Sequence, residues 1–402
     1  MPEPESAFIP DRKTTIAATV AIAATCLYSS LFVESALFEI ARASNDRQNA
    51  LRLILIAAGG SGVVGCLAAA RRFELARFPK ALGTAFRASG VVAALGYMAD
   101  SWWVLLTTAI AAGLCLGWLA VTLTAGLRAT LGTVRLGRIL GFGVGAGYAL
   151  CSLAWGADAS PRTQILLAGA SAVFGALAAP WLWPREITPS PAPDYTPRTA
   201  TLWVAMLLPL VAIDTATLDL SRQIPTLHNA LWHGSWNLLG NTCVFFAAAY
   251  LAGRALERGW LGRTCAAACI LVTLAALKLD RSLPEFLSMQ VVFVAGVATY
   301  STAALYYVAR GGHPVLTGWL FAVAGVGGTA LGVVVAQELG EMPLALLAIA
   351  LALVALGIGL RAHWRARILG AMATALVFGL VVQGAGLPDT AKLPCRKATA
   401  HA

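Results

Sequence analysis

Two short stretches carry most of the chemistry this sequence can do inside an apolar setting. Glu34-Ser-Ala-Leu-Phe-Glu39-Ile-Ala-Arg42 and Asp214-Thr-Ala-Thr-Leu-Asp219-Leu-Ser-Arg222 share one pattern, 180 residues apart. Each reads acid, hydroxyl residue, Ala, two spacers, acid, aliphatic residue, small residue, Arg. Burial in a low-dielectric medium favours the neutral form of any carboxyl. Asp214 and Glu34 are therefore candidates for binding and releasing a proton. Glu39 with Arg42, and Asp219 with Arg222, stand three residues apart and are expected as i,i+3 ion pairs at a helix end.

The surroundings explain why such residues are notable. The 402-residue chain is 58% hydrophobic and 12% charged, against about 25% charged in soluble domains. That much apolar surface needs lipid as part of its solvent. Apolar runs of about 20 residues recur, each long enough to span a bilayer as a helix. They are continuous rather than alternating, which favours helices over a barrel. The spans are expected at roughly 14–40, 49–70, 82–99, 102–126, 138–156, 163–184, 201–222, 230–252, 261–278, 286–309, 314–337 and 342–360, with an extra one at 368–386. With the N-terminus inside, 19 of the 29 Lys and Arg residues fall in inner loops, seven in outer loops and three in the tail. This bias gives the +10 net charge a topological meaning. Nucleic-acid binding is excluded as its cause.

The chain repeats itself beyond the acid stretches. Asn49-Ala50-Leu51 returns as Asn229-Ala230-Leu231, Gly60 as Gly240 and Val64 as Val244. Further on, the offset slips by one, and Gly137 and Gly147 align with Gly318 and Gly328. Two related halves follow. The proline-rich stretch WPREITPSPAPDYTPRTA joins them. The expected organisation is a cytoplasmic N-terminus at 1–13, a six-helix half at 14–184, a linker at 185–200, a second six-helix half at 201–362, and an extra helix with a short tail at 363–402. An even number of crossings per half makes the repeats parallel.

Six plus six parallel helices with an inner linker resemble the major facilitator superfamily of secondary transporters. Its loop motif after the second helix of each half is matched in GRALERGWLGR by Gly253, Glu257, Arg258, Gly262 and Arg263, with two extra residues before the last pair. In the first half, GCLAAARRFELAR lacks the acid, and Ala69 stands in its place. GRILGFGVGAGYAL has the glycines of the fifth-helix signature of the drug antiporters but not its proline. The resemblance implies an all-α membrane protein of 12 spans, here with an extra thirteenth, that moves a small solute by alternating access and works as a monomer in the lipid bilayer. It also implies that helices one and seven line the central path, so that Glu34 and Asp214 face each other near its outer gate. The loop residues would then serve the inner gate.

Other polar positions fall on helices eight and ten: Asn237, Asn241, Gln290, Tyr300, Ser301, Thr302, Tyr306 and Tyr307. They are candidates for a solute cavity or for interhelical hydrogen bonds. His228 and His233 are weak metal candidates that also fit an interfacial belt with Trp232 and Trp236. Cys265 and Cys269, one turn apart, read as apolar fillers. The glycine-rich GFGVGAG and AGVGG stretches read as close-packing faces. Phosphate-binding, nucleophile-elbow, zinc-helix and haem-attachment patterns are missing, so neither an enzyme nor a cofactor is expected. Two alternatives to a transporter of a small molecule or ion stay open: a scaffold or sensor that does not transport, and a copper importer.

Overall fold

The computed structural model describes residues 10–43, 47–99, 101–157, 159–185, 197–223, 235–278, 283–339 and 342–359. The expected spans at 368–386 and the tail with Cys395 lie outside the described residues, as do His228, His233 and most of the linker. Among the described residues the chain is helical and has no strand. Among the described residues, twelve long rods follow one another. They are α1 Arg12–Arg42, α2 Arg47–Arg72, α3 Phe78–Tyr97, α4 Trp102–Leu131, α5 Leu136–Cys151 and α6 Pro161–Ala178. The second six are α7 Pro197–Gln223, α8 Ser235–Glu257, α9 Leu261–Ala276, α10 Leu283–Gly311, α11 Pro314–Gln337 and α12 Leu344–Gly359. Among the described residues, eight helices are long and apolar enough to cross a membrane, α1, α4, α7 and α10 among them.

Local chemistry sets the ends. Asp11 caps α1, its Oδ1 accepting from the Thr14 N–H at 2.8 Å. Hydrogen bonds from the Thr14 side chain and backbone hold the Asp11 carboxyl below its ordinary range. Ser101 and Ser160 cap α4 and α6 in the same way. The turn after α8 needs Gly259 at φ 78° and that after α10 needs Gly312 at φ 60°, conformations that a side chain disfavours. Pro209 lies inside α7 and removes a helical hydrogen bond, five residues before Asp214. The wider π geometry occupies Tyr28–Ala36 of α1, around Glu34, and Phe321–Gly327 of α11. Such turns often mark functional places in a helix.

The helix contacts display the duplication. In the first six, α1 packs on α5 and α6, α2 on α4, and α3 on α4 and α6. In the second six, α7 packs on α11 and α12, α8 on α10, and α9 on α10 and α12. Each pair recurs with its helix numbers raised by six. The two sets meet along α5 with α8 and along α2 with α11, with α10 touching both α4 and α5. Both seams place helices from opposite sets side by side, so the boundary between the sets passes between α1 and α7, the helices that carry the repeated acids.

Candidate functional site

Asp214 sits on α7, partly exposed, and accepts a short hydrogen bond from the Tyr300 hydroxyl of α10. Glu34 of α1, from the other set of helices, is within charge range of its carboxylate. Glu34 is exposed although it lies mid-chain in a spanning helix. Its two oxygens accept from Ser29 Oγ at 2.7 Å and Ser30 Oγ at 3.4 Å. The widened turn of α1 holds these three side chains together. Tyr148 of α5 completes the wall, with its hydroxyl 3.4 Å from Ser301 Oγ and its ring stacked on Phe245 of α8 at 5.2 Å. Asn241, one turn from Phe245, accepts from Gln290 Nε2 at 2.9 Å. A carboxylate from each set, tyrosines and two amides thus gather at one boundary.

At one end of this cluster the arginines do not pair as their spacing predicts. Arg42 of α1 forms its ion pair with Asp219 of α7, 177 residues away, rather than with Glu39 three residues before it. Arg222 Nη1 donates to the Glu34 carbonyl oxygen at 3.4 Å rather than to Asp219. The physical reason is burial. Asp219 is 7% exposed and faces α1, so a partner on the facing helix reaches it better than Arg222, one turn on along the same helix. Arg222 stays within charge range of Glu39 and Asp219, so both acid–arginine stretches form one cluster across the boundary.

The opposite end is joined by a different group. Glu257, the motif acid at the end of α8, accepts from the Arg138 backbone N–H at 2.8 Å and from Arg138 Nε at 2.6 Å. Arg138 lies in the first turn of α5, where free N–H groups and the helix dipole favour a carboxylate. Gly253 is a packing residue: a methyl group there would lie 2.2 Å from the Gly137 carbonyl oxygen. Arg258 and Arg263 lie over the Trp260 ring, at 5.7 and 5.5 Å from its centre. Gly262 is in the first turn of α9. Nearby, Arg128 of α4 is 5% exposed and donates to the Arg310 carbonyl oxygen at 3.3 Å. Tyr306 is buried and within charge range of Arg310 and Glu257.

Sequence reasoning found the acids and missed Tyr148, Arg128 and Arg138, whose partners lie far away in the chain. It also placed the first-half counterpart of Glu257 at Ala69. A methyl group at Gly137 would meet the Gly253 oxygen and Glu257 Cγ, whereas one at its repeat mate Gly318 would meet the Cys66 oxygen and Ala70 Cβ. Gly253 to Glu257 and Cys66 to Ala70 are both four residues, so Ala70 is the structural counterpart. Asn237 is an exposed position near the start of α8. Among the described residues no group of three or more His, Cys, Asp and Glu side chains is placed to hold a metal ion.

Searches for a matching family model and for a curated relative found none. Solved structures match well. The crystal structure of the human organic anion transporter MFSD10 (TETRAN) aligns over 88% of this chain and 98% of its own at 15% identity, with a TM-score of 0.61. That of the major facilitator superfamily transporter FucP, in the outward conformation, aligns over 86% and 98% at 14% identity, with a TM-score of 0.63. The chain has the major facilitator fold.

Proposed function

We propose that this chain is a secondary transporter that moves a small solute through the boundary between its two six-helix sets by alternating access. The observation that supports the reading is Glu34 and Asp214, one carboxylate from each set, lying within charge range of one another at the boundary. Charges within spanning helices are costly and are retained mostly for function. Arg42–Asp219 at one end and Arg138–Glu257 at the other are the two latches that such a cycle would open in turn. Arg258, Gly262 and Arg263 would support the second latch. The halves are taken as 14–184 and 201–362, with the linker 185–200 and the N-terminus cytoplasmic in a plasma membrane. The Lys and Arg bias of the loops supports that orientation. Proton binding at Asp214, held by Tyr300 and sensed by Glu34, is the coupling step.

A shared fold does not carry a neighbour's solute over to this chain. Human MFSD10 is an organic anion transporter by its description, whereas acids dominate the centre here. The test is uptake and counterflow in proteoliposomes, with and without a pH gradient, once a solute is in hand. Asp214→Asn should abolish gradient-driven uptake and leave exchange intact. Full gradient-driven uptake by that variant would remove the coupling role.

A further inference from the structure

The turn between α8 and α9 gathers positive charge without an acid to answer it. Arg254, Arg258 and Arg263 are exposed, and among the described residues none of their side chains has an ion-pair or hydrogen-bond partner. Arg258 and Arg263 share the exposed Trp260 ring instead. The acid beside them in the chain, Glu257, has both oxygens taken by Arg138. Arg254 and Arg258, four residues apart on one face of α8, repel each other unless an anion lies by them. The repeat mate of this turn, between α2 and α3, is built otherwise. There Arg77 has Glu74 at 3.1 Å, and the aromatic residue, Phe73, packs on Phe78 at 6.4 Å. Where Lys13 lies over Trp181 at 5.2 Å, Asp11 is within charge range of it and pairs with Arg185 at 3.6 Å.

A second observation, independent of those charges, says which anion fits. Leu251 is exposed, and Arg254 and Arg258 follow it at three and seven residues, on one face of α8. On α9, Ile270 and Leu274 are exposed and follow Arg263 at seven and eleven residues, again on one face. Large apolar side chains left bare on helices of a membrane protein face lipid tails. The arginines therefore stand where two tail-facing stripes end, with Arg258 about 10 Å along the axis from Leu251. Tryptophan is a residue type that collects at headgroup level.

We propose that the α8–α9 turn is a binding site for an anionic phospholipid. The phosphate lies among Arg254, Arg258 and Arg263, the Trp260 indole lies at the glycerol level, and the acyl chains follow the Leu251 face of α8 and the Ile270–Leu274 face of α9. Free phosphate would meet the same guanidinium groups but has nothing for the apolar faces, so the occupant is the lipid. The site needs a bilayer but neither transport nor a given orientation, and its test is therefore separate from that of the transporter reading.

The experiment is native mass spectrometry of the purified full-length chain in detergent, titrated with palmitoyl-oleoyl phosphatidylglycerol and, separately, with phosphatidylcholine of the same chains. Phosphatidylglycerol should bind at least about tenfold tighter, since each basic side chain at an anionic lipid surface contributes about fivefold in affinity. Arg258→Gln combined with Arg263→Gln should weaken phosphatidylglycerol by at least about tenfold, while Arg258→Lys combined with Arg263→Lys, which keeps the charge, should retain most of the binding. Trp260→Ala should weaken both lipids. Arg71→Gln combined with Arg72→Gln makes the same change of charge at the end of α2 and should leave binding unaltered. Unaltered size-exclusion elution shows that a variant is folded, and Arg254→Gln combined with Arg263→Gln stands in if the first pair is not. Equal binding of the two lipids, full binding by the α8–α9 glutamine variant, or an equal loss from the α2 variant would overturn the proposal. Inorganic phosphate in large excess should not displace the lipid; displacement would make this a site for a free anion and overturn the proposal too.

Discussion

The seam between α5 and α8 and the seam between α2 and α11 are repeats of one another, yet they are built differently. Along α5, Gly137, Gly141 and Gly145 recur every four residues and lie against the backbone of α8. Methyl groups at the first two would lie 2.3 Å from the Gly253 and Ala249 carbonyl oxygens. Glu257 then crosses the seam to the first turn of α5, and Thr242 bonds the Ala149 carbonyl at 3.3 Å near the other end. Along α2 and α11, Gly318 alone comes near, with Ala70 Cβ at 2.8 Å and the Cys66 oxygen at 3.0 Å, while across this seam Gly59 and Gly62 meet only the Val326 side chain, at 3.3 and 3.6 Å. The acid is Ala70, α11 caps itself through His313 Nδ1, and its middle widens into π geometry. Duplication supplied two equal seams; one kept backbone contact and a carboxylate clamp, and the other kept apolar side chains. The difference teaches that the α5–α8 seam is the more closely packed and the α2–α11 seam the looser.

Three changes test that contrast. The largest effect belongs to Gly137→Leu. Backbone blocks its side chain, so the seam must part, and overpacking of this kind costs about 1–3 kcal/mol or more. Thermal unfolding in detergent should show a clear loss, whereas Gly60→Leu, with nothing within 4 Å, should be close to neutral. Equal losses would remove the distinction.

Glu257→Gln comes next. It keeps the shape and discards the charge that faces Arg138. The Glu257 side chain is 12% exposed and that of Arg138 is 43% exposed, so solvent screening limits the cost to about 1 kcal/mol. A cysteine placed at Val134, beside this clamp, should then react faster with a water-soluble maleimide. Unchanged labelling would mean that glycine packing alone holds this end.

The smallest effect is on the looser seam. The Thr317 hydroxyl, beside Gly318, is fully buried and has no hydrogen-bond partner. Thr317→Val should therefore leave stability unchanged or raise it by up to about 1 kcal/mol. A loss beyond that would show that the hydroxyl is used in another state of the molecule.

Much of this was readable from residue types. Long apolar runs, the repeated acids and the glycine spacing of GFGVGAG specify helices, duplication and a close-packed face. What could not be read is who meets whom. Spacing offers Glu39 to Arg42 because they share a helix, but burial of Asp219 on the facing helix draws Arg42 across. Glu257 stood out as a motif acid, yet Arg138, 119 residues away, looked like one more inner-loop cation. Likewise Ala69 and Ala70 are identical as letters, and only the contact of Gly318 separates them. Pairing across a boundary is tertiary, and a single sequence records it only where composition is unusual.

The central claim is that the two six-helix sets rock about the boundary where Glu34 and Asp214 lie. The most direct measurement is electron–electron double resonance on spin-labelled pairs in lipid nanodiscs. One pair, Met98 with Leu277, would report the end of Arg42–Asp219. The other, Val134 with Arg258, would report the end of Arg138–Glu257. Alternating access predicts two distances for each pair, with populations that shift in opposite directions between acid and alkaline buffer. A single distance for each pair, unmoved by pH, would contradict it, and so would both ends opening together.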